Sequence, residues 1–213
     1  MTSLLEQNPG DGPATVFVVD DDPGIRDSLT WLLQSVGLAV EAYGSAREFL
    51  EGGGPDRPGC LVLDVRLPGM GGLDLLANLR NRQSGMPVIV VTGFGDVRTA
   101  VRAMKCGALD VMEKPVEDQL LLDRVHQAIE LDQQMRAADA RRRAARALFD
   151  LLSRRERQVL RFVTAGRPNK WIAAELGLAP KTVETYRAAL MRKLGVHSVA
   201  ELIHFKLLVE VDA

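Results

Sequence analysis

At 213 residues the chain has room for one large domain and one small one, and its 46% hydrophobic and 26% charged residues exclude a disordered or membrane-spanning polypeptide. The formal net charge of −1 hides an asymmetry: residues 1–130 carry 19 acids and 11 bases, residues 131–150 carry 3 and 5, and residues 151–213 carry 6 and 11. An acidic first part and a basic last part suggest two domains with different partners, the second a polyanion, although a basic face is most often only solvated. The opening MTSLLEQNPGDG has no basic stretch followed by an apolar run, which argues against a secretory signal. Cys60 and Cys106, far apart and beside apolar residues, suit a reducing cytosol.

Through residue 130, short apolar runs alternate with amphipathic stretches. The runs are TVFVV (15–19), LAVEAY (38–43), CLVLD (60–64), PVIVV (87–91) and ALDVM (108–112), expected as strands buried on both faces. The stretches between them begin and end as helices do. Asp22 before Pro23 is an N-cap with proline at the first helical position. Ser45 with Glu48 makes a capping box, and Asp96 can cap a helix over 97–104 that stops before Gly107. GGGPDRPG (52–59) reads as a plain loop. Strict alternation of strand and helix predicts a parallel sheet wound on both sides.

A helix starts near Glu117 and can run long. Positions 121, 124, 128, 131, 135, 138, 142, 145 and 149 follow the steps of a coiled-coil seam, but Arg124, Arg142 and several alanines weaken it, and a flexible or partly helical linker over 131–148 is an equal reading. From Leu151 the pattern is helical throughout. Ser153 and Glu156 form a capping box for a helix to about Thr164, and 169–176 and 180–194 are helices joined by a tight turn at Gly177–Leu178. A last helix covers about 198–209. Two helices joined by a short glycine turn make a helix-turn-helix. The expected domains are 1–130, a linker over 131–148 and a four-helix unit over 149–213.

The carboxyl ends of the predicted strands carry Asp20, Asp21 and Asp22, then Asp64, Thr92 and Lys114. In an open parallel sheet this edge is where ligands bind. Carboxylates gathered there repel one another unless a cation sits among them, and Mg²⁺ suits a site of few protein ligands completed by water. One carboxylate could then attack phosphorus, with the metal, a lysine and a hydroxyl stabilising the equatorial oxygens.

VVDDD (18–22), LVLDVRLPGM (61–70), VVTGFGD (90–96) and MEKP (112–115) resemble, in order and spacing, the receiver motifs of two-component response regulators. The resemblance implies a flavodoxin-like α/β domain, a doubly wound parallel sheet of five strands. It implies that Asp64 takes phosphate from a phosphohistidine on a partner histidine kinase. Asp21 and Asp64 would ligate Mg²⁺ with the backbone carbonyl of Arg66, and Asp20 would help through water. Thr92 would bond the phosphoryl group and Lys114 pair with it, before a cis bond to Pro115. Asp22 reads as a helix cap rather than a ligand, and Thr92 by itself as an ordinary strand-end hydroxyl. The position three before the lysine, often aromatic in this family, is Val111, so a switch by ring rotation is in doubt.

Residues 151–203, with Ser153–Leu160, AGRPNK, IAAELG, KTVETYR and MRKLGV, resemble the small all-α, four-helix output domain of the NarL/FixJ (LuxR-type) regulators, with the FixJ branch closest. In that fold the helix from Pro180 enters the major groove of double-stranded promoter DNA. Its outward positions are Lys181, Thr182, Glu184, Thr185, Arg187 and Ala188. Glu184 can accept from a cytosine amino group, and Thr185 or Ala188 can touch a thymine methyl. Lys170, Lys181, Arg187, Arg192 and Lys193 are candidates for phosphate contacts. Glu184 could equally be only an i,i+3 partner of Arg187, and Trp171 either covers the flank of the domain or meets a partner.

The resemblance therefore implies a cytoplasmic regulator, not an enzyme and not membrane-bound. It would be phosphorylated by a kinase, relieved of inhibition, dimeric when phosphorylated, and an activator working with RNA polymerase. A hydrolase with an aspartate nucleophile would want an acid where Arg66 stands. An FMN carrier would want hydroxyls and glycines in place of three aspartates, and a LuxR-type sensor of small molecules would lack the acidic edge. Acid-labile phosphate after mixing with Mg²⁺ and acetyl phosphate separates these.

Overall fold

The computed structural model describes residues 13–93 and 97–210. Its described residues form two compact units that divide between Ala137 and Ala138.

The first unit alternates strand and helix: β1 (Thr15–Val19), α1 (Pro23–Ser35), β2 (Ala39–Tyr43), α2 (Ala46–Glu51), β3 (Gly59–Asp64), α3 (Gly72–Asn81), β4 (Val88–Thr92), α4 (Val97–Lys105), β5 (Asp110–Glu113) and the start of α5 (Asp118–Asp150). The sheet is parallel, in the order β2-β1-β3-β4-β5. Val19 of β1 pairs with Leu63 of β3, so the chain leaves two adjacent strands at Asp20 and Asp64. That is the point where the strand order reverses, and the crevice a ligand would use opens there.

Burial on both faces holds only for the three central strands, every residue of which is buried. The edge strands β2 and β5 are only partly covered, each having a neighbour on one side, and that position is why β2 tolerates Glu41 in mid-strand. Odd-numbered β1 residues such as Phe17 and Val19 pack with Phe49, Leu75 and Leu79 of α2 and α3. Even-numbered ones, Val16 and Val18, pack with Leu33 of α1 and Leu121 and Val125 of α5. Each fully buried side chain of this size stabilises by roughly 2 kcal/mol.

Asp22 caps α1 by accepting from the backbone N–H groups of Gly24 and Ile25. At α2 the expected reciprocal box is only half formed. Ser45 accepts from the Glu48 N–H, but the Glu48 carboxylate turns back to Gly44 N–H instead of that of Ser45. The loop 52–59 contains one 3₁₀ turn, Gly54–Asp56. Asp96, read as the cap of α4, lies outside the described residues.

The segment 131–148 is helical from end to end, as part of α5. Of the coiled-coil seam only Leu121, Ala128 and Ala145 are buried, so most of it is not the line that packs. Leu121, Val125, Ala128, Ile129 and Asp132 are buried, a spacing that lays the helix on its own sheet. Asp132 is buried because it accepts from the Gly59 N–H at 2.8 Å and is gripped by Arg136, which also donates to the carbonyls of Asp56 and Arg57.

The second unit holds α6 (Arg154–Thr164), α7 (Asn169–Leu176), α8 (Pro180–Leu194) and α9 (Val199–Glu210), with the last turns of α5. Val159, Ile172, Val183, Leu190 and Leu202 form its core, joined by Ala145 of α5. Gly177 ends α7 at φ 65°, a conformation that favours glycine, and this turn starts α8 on Pro180. The capping box of α6 is complete: Ser153 Oγ accepts from Glu156 N–H, and the Glu156 carboxylate accepts from Ser153 N–H at 2.7 Å. Among the described residues no helix is long and apolar enough to cross a membrane.

Candidate functional site

The strand ends bring the predicted acidic residues together. Asp20 and Asp64 are buried, 3% and 6% exposed, at the ends of β1 and β3, and Asp21 is exposed beside them. One carboxylate oxygen from each of the three lies within 4.8 Å of the others. Lys114 Nζ, arriving from the end of β5, donates to Asp20 Oδ2 at 2.6 Å and sits 3.4 Å from Asp64 Oδ1. Thr92 is 2% exposed at the end of β4, and its carbonyl accepts the Lys114 backbone N–H at 2.9 Å, so these two residues are placed by one β4–β5 rung. The Lys114–Pro115 bond is cis. Arg66 lies in the loop after β3 with an exposed side chain, and Asp22 turns away to cap α1.

Burial raises the pKa of Asp64 above the ordinary carboxylate range, and the nearby Asp20 adds to this while Lys114 opposes it. Burial alone would lower Lys114, but its hydrogen bond to Asp20 and the charge of Asp64 outweigh that and raise it. Three carboxylates facing one ammonium leave a surplus of negative charge on oxygen ligands. A hard divalent cation fits such a donor set. The thiol of Cys60 is inert by contrast, its pKa pushed up to about 12 by burial.

Two contributors to this site were not singled out from the sequence. Gly72 opens α3 against the end of β3: a Cβ there would fall 2.0 Å from the Asp64 carbonyl oxygen. The signal was present as the glycine pair 71–72, but only the fold shows which glycine meets Asp64. Arg26, one turn into α1, donates from Nη1 to the Asp20 carbonyl at 2.8 Å.

In the second unit, Lys181, Glu184, Thr185 and Ala188 are exposed on α8, while Thr182 and Arg187 are half-buried. Arg192 and Lys193, near the end of α8, and Lys170 in α7 are exposed. Glu184 does pair at i,i+3 spacing, but with Lys181 on its other side, at 3.4 Å. Arg187 instead reaches Asn169 Oδ1 at the start of α7, which ties the two helices together. Lys193, expected to face phosphate, donates to the buried Glu156 at 2.8 Å, so its charge is used within the unit. Thr185 Oγ1 donates back to the Lys181 carbonyl. Trp171 packs edge-on against Phe162 with the Arg167 guanidinium over its ring, which makes it part of the flank of the unit.

A five-stranded parallel sheet with this acidic crevice, followed by a helix-turn-helix unit, defines a regulator that joins a receiver to a DNA-binding domain. Residues 16–126 match the family described as response regulator receiver domain, and residues 150–206 match the bacterial regulatory proteins of the luxR family. The chain is 50% identical over 190 residues to nodulation protein W of Bradyrhizobium diazoefficiens, covering 89% of this chain and 84% of that one. It is 47% identical over 197 residues to the transcriptional regulatory protein FixJ of Azorhizobium caulinodans, covering 92% and 93%. Among solved structures, response regulator StyR superposes with a TM-score of 0.84 at 43% identity, over 92% of this chain and 99% of that one. The chain belongs to the response regulators with a luxR-type DNA-binding domain, and is thus a two-component transcription factor.

Proposed function

We propose that Asp64 accepts a phosphoryl group from a phosphohistidine of a partner histidine kinase, and that this modification relieves inhibition and promotes dimerisation and promoter binding. The observation that carries the reading is the buried Asp64 carboxylate set between Asp20, Asp21 and Lys114. In the transfer, an Asp64 oxygen forms the new O–P bond as the N–P bond to the imidazole breaks. Asp20, Asp21, Asp64 and the Arg66 carbonyl are the groups that would hold Mg²⁺, which when bound supplies positive charge to the phosphoryl oxygens. Lys114 pairs with one phosphoryl oxygen and the Thr92 hydroxyl donates to another. The site takes up phosphate rather than turning over a substrate, so the protein acts as a switch and not as an enzyme.

On the DNA side, Lys181, Thr182, Glu184, Thr185, Arg187 and Ala188 face the major groove, with Lys170, Arg192 and Lys193 on the phosphates. Exposure of Glu184, Thr185 and Ala188 supports base contact, whereas the bonds of Arg187 and Lys193 within the unit give these two a supporting part as well. The phosphorylated dimer works in the cytoplasm as an activator, with RNA polymerase as its further partner. The test is Mg²⁺-dependent labelling by a small phosphodonor. Wild type is expected to take up acid-labile phosphate and Asp64→Asn none. Label retained by Asp64→Asn at the wild-type level would move the acceptor elsewhere.

A further inference from the structure

We infer that Arg26 is a positioning residue for Asp21, holding that exposed carboxylate where it can ligate a divalent cation; the inference rests on the metal site proposed above. Asp21 is the exposed member of the carboxylate cluster, so packing does little to aim it. The peptides on either side of it are both held. The carbonyl of the Asp20–Asp21 peptide accepts from Arg26 Nη1 at 2.8 Å. The N–H of the Asp21–Asp22 peptide donates to Asp20 Oδ1 at 2.9 Å. A peptide unit is planar, so its carbonyl and its N–H turn together, and a hydrogen bond to either restrains rotation of the whole plane. With the planes on both sides of it held in this way, Asp21 has less freedom in φ and ψ, and so in the direction its side chain leaves the chain.

Arg26 is itself held in place. Its backbone N–H donates to the Asp22 carbonyl as α1 begins. Its guanidinium lies beside Gly44 in the loop after β2, where a Cβ would come 3.6 Å from Nη1. β1 is tied to the same loop through the bond from Asp20 N–H to the Tyr43 carbonyl. The guanidinium therefore lies between the carboxyl end of β1 and the β2–α2 loop, and meets the cluster at the Asp20 backbone carbonyl.

The two things Arg26 can do for a cation have opposite signs, which makes the role testable. As a positive charge beside three carboxylates it weakens cation binding, so its removal by charge alone would tighten binding. As the group that aims Asp21 it strengthens binding, so its removal would loosen it. The experiment is calorimetric titration of the full chain with Mg²⁺ alone, with the metal-free unfolding midpoint recorded as a check of the fold. Arg26→Met is expected to bind Mg²⁺ about fivefold more weakly than wild type, the worth of one ordinary hydrogen bond. In an Asp21→Asn background the same change should no longer weaken binding, because nothing remains to be aimed. Arg26→Lys keeps the charge with a shorter reach, so a loss there is one of geometry, and it carries the test if Arg26→Met fails to fold. Wild type that binds Mg²⁺ while both Arg26 variants bind equally or more tightly overturns the positioning role alone. Wild type that takes up no Mg²⁺ overturns the metal site itself.

Discussion

Gly72→Ala puts the placement of Asp64 under direct test. An alanine Cβ at this position would fall 2.0 Å from the Asp64 carbonyl oxygen and 2.9 Å from both the Asp64 carbonyl carbon and Val65 Cα. Contacts under 3.0 Å are essentially never tolerated, and all three atoms are backbone, so no side chain can rotate away. Opening the closest contact to an ordinary separation needs a movement of more than about 1 Å between the start of α3 and the end of β3. β3 is a central strand with a partner on each side, so much of the movement falls on α3, and the rest on the loop that carries Asp64 and Arg66. Overpacking of this kind costs about 1–3 kcal/mol of stability. Displacing a reacting group by about 1 Å can cost on the order of a hundredfold in rate. We therefore expect a folded variant with a lower unfolding midpoint, and labelling from acetyl phosphate slowed by about tenfold or more, since only part of the movement falls on the loop that carries Asp64. Labelling at the wild-type rate by a variant with an unchanged midpoint would refute the reasoning, because the close approach would then have no hold on Asp64.

Glu156→Gln should destabilise the second unit by about 1–2 kcal/mol near neutral pH, by taking a charged partner from Lys193 and weakening the cap on Ser153. Although burial acts to raise it, Glu156 is held below the ordinary carboxylate range by its bonds to Lys193 and Ser153, so this stability is present above the ordinary carboxylate pKa and lost as pH falls through the lowered folded value. Calorimetric midpoints for the two forms should thus converge in acid; a gap independent of pH would show that the charge plays no part. Lys181→Ala should weaken DNA binding across sequences and lower the salt slope by about one, whereas Glu184→Ala should change preference at one base pair, and an unchanged selected-site logo would end the base-readout assignment. Thr92→Ala should still accept phosphate but lose phosphorylation-driven dimerisation, with Val111→Ala changing it only modestly; sedimentation with and without a phosphodonor compares them, and equal losses would place residue 111 in the switch.

Much of this protein could be read before its fold was known, for local reasons. Strand runs such as TVFVV, caps such as Asp22 and Ser153, and the stop at Gly177 depend on residues within one turn of each other, and they emerge as β1, α1, α6 and α7. The acidic site was legible because its members all follow apolar runs, and a parallel sheet sends every such run to the same edge. Features that depend on two distant segments were not legible. Nothing local to Asp132 signals burial, yet it is buried where Gly59, far away in sequence, offers it an N–H and Arg136 pairs with it. Lys193 reads locally as a phosphate-contact candidate, and only the fold shows the buried Glu156 that partners it within the unit. Nothing local to Arg26 says that it folds back on the end of β1.

The contrast between Thr92 and Val111 follows from what a phosphoryl group can touch. Phosphorylation shifts an equilibrium only by the difference in its contacts with the two states. Val111 is half-buried, pairs with Val90 across the β4–β5 ladder and packs on the apolar core beneath it. Its side chain has no polar atom to offer, so it can respond only as packing responds. Thr92 stands at the carboxyl edge with a hydroxyl able to donate to a phosphoryl oxygen, on a strand end fixed to β5 by the Lys114 N–H. A hydrogen bond to a charged phosphoryl oxygen contributes about 1.5–3 kcal/mol. Made in one state only, that bond is roughly a ten- to hundredfold bias between the two, and in the proposed switch it is open to residue 92 and not to residue 111.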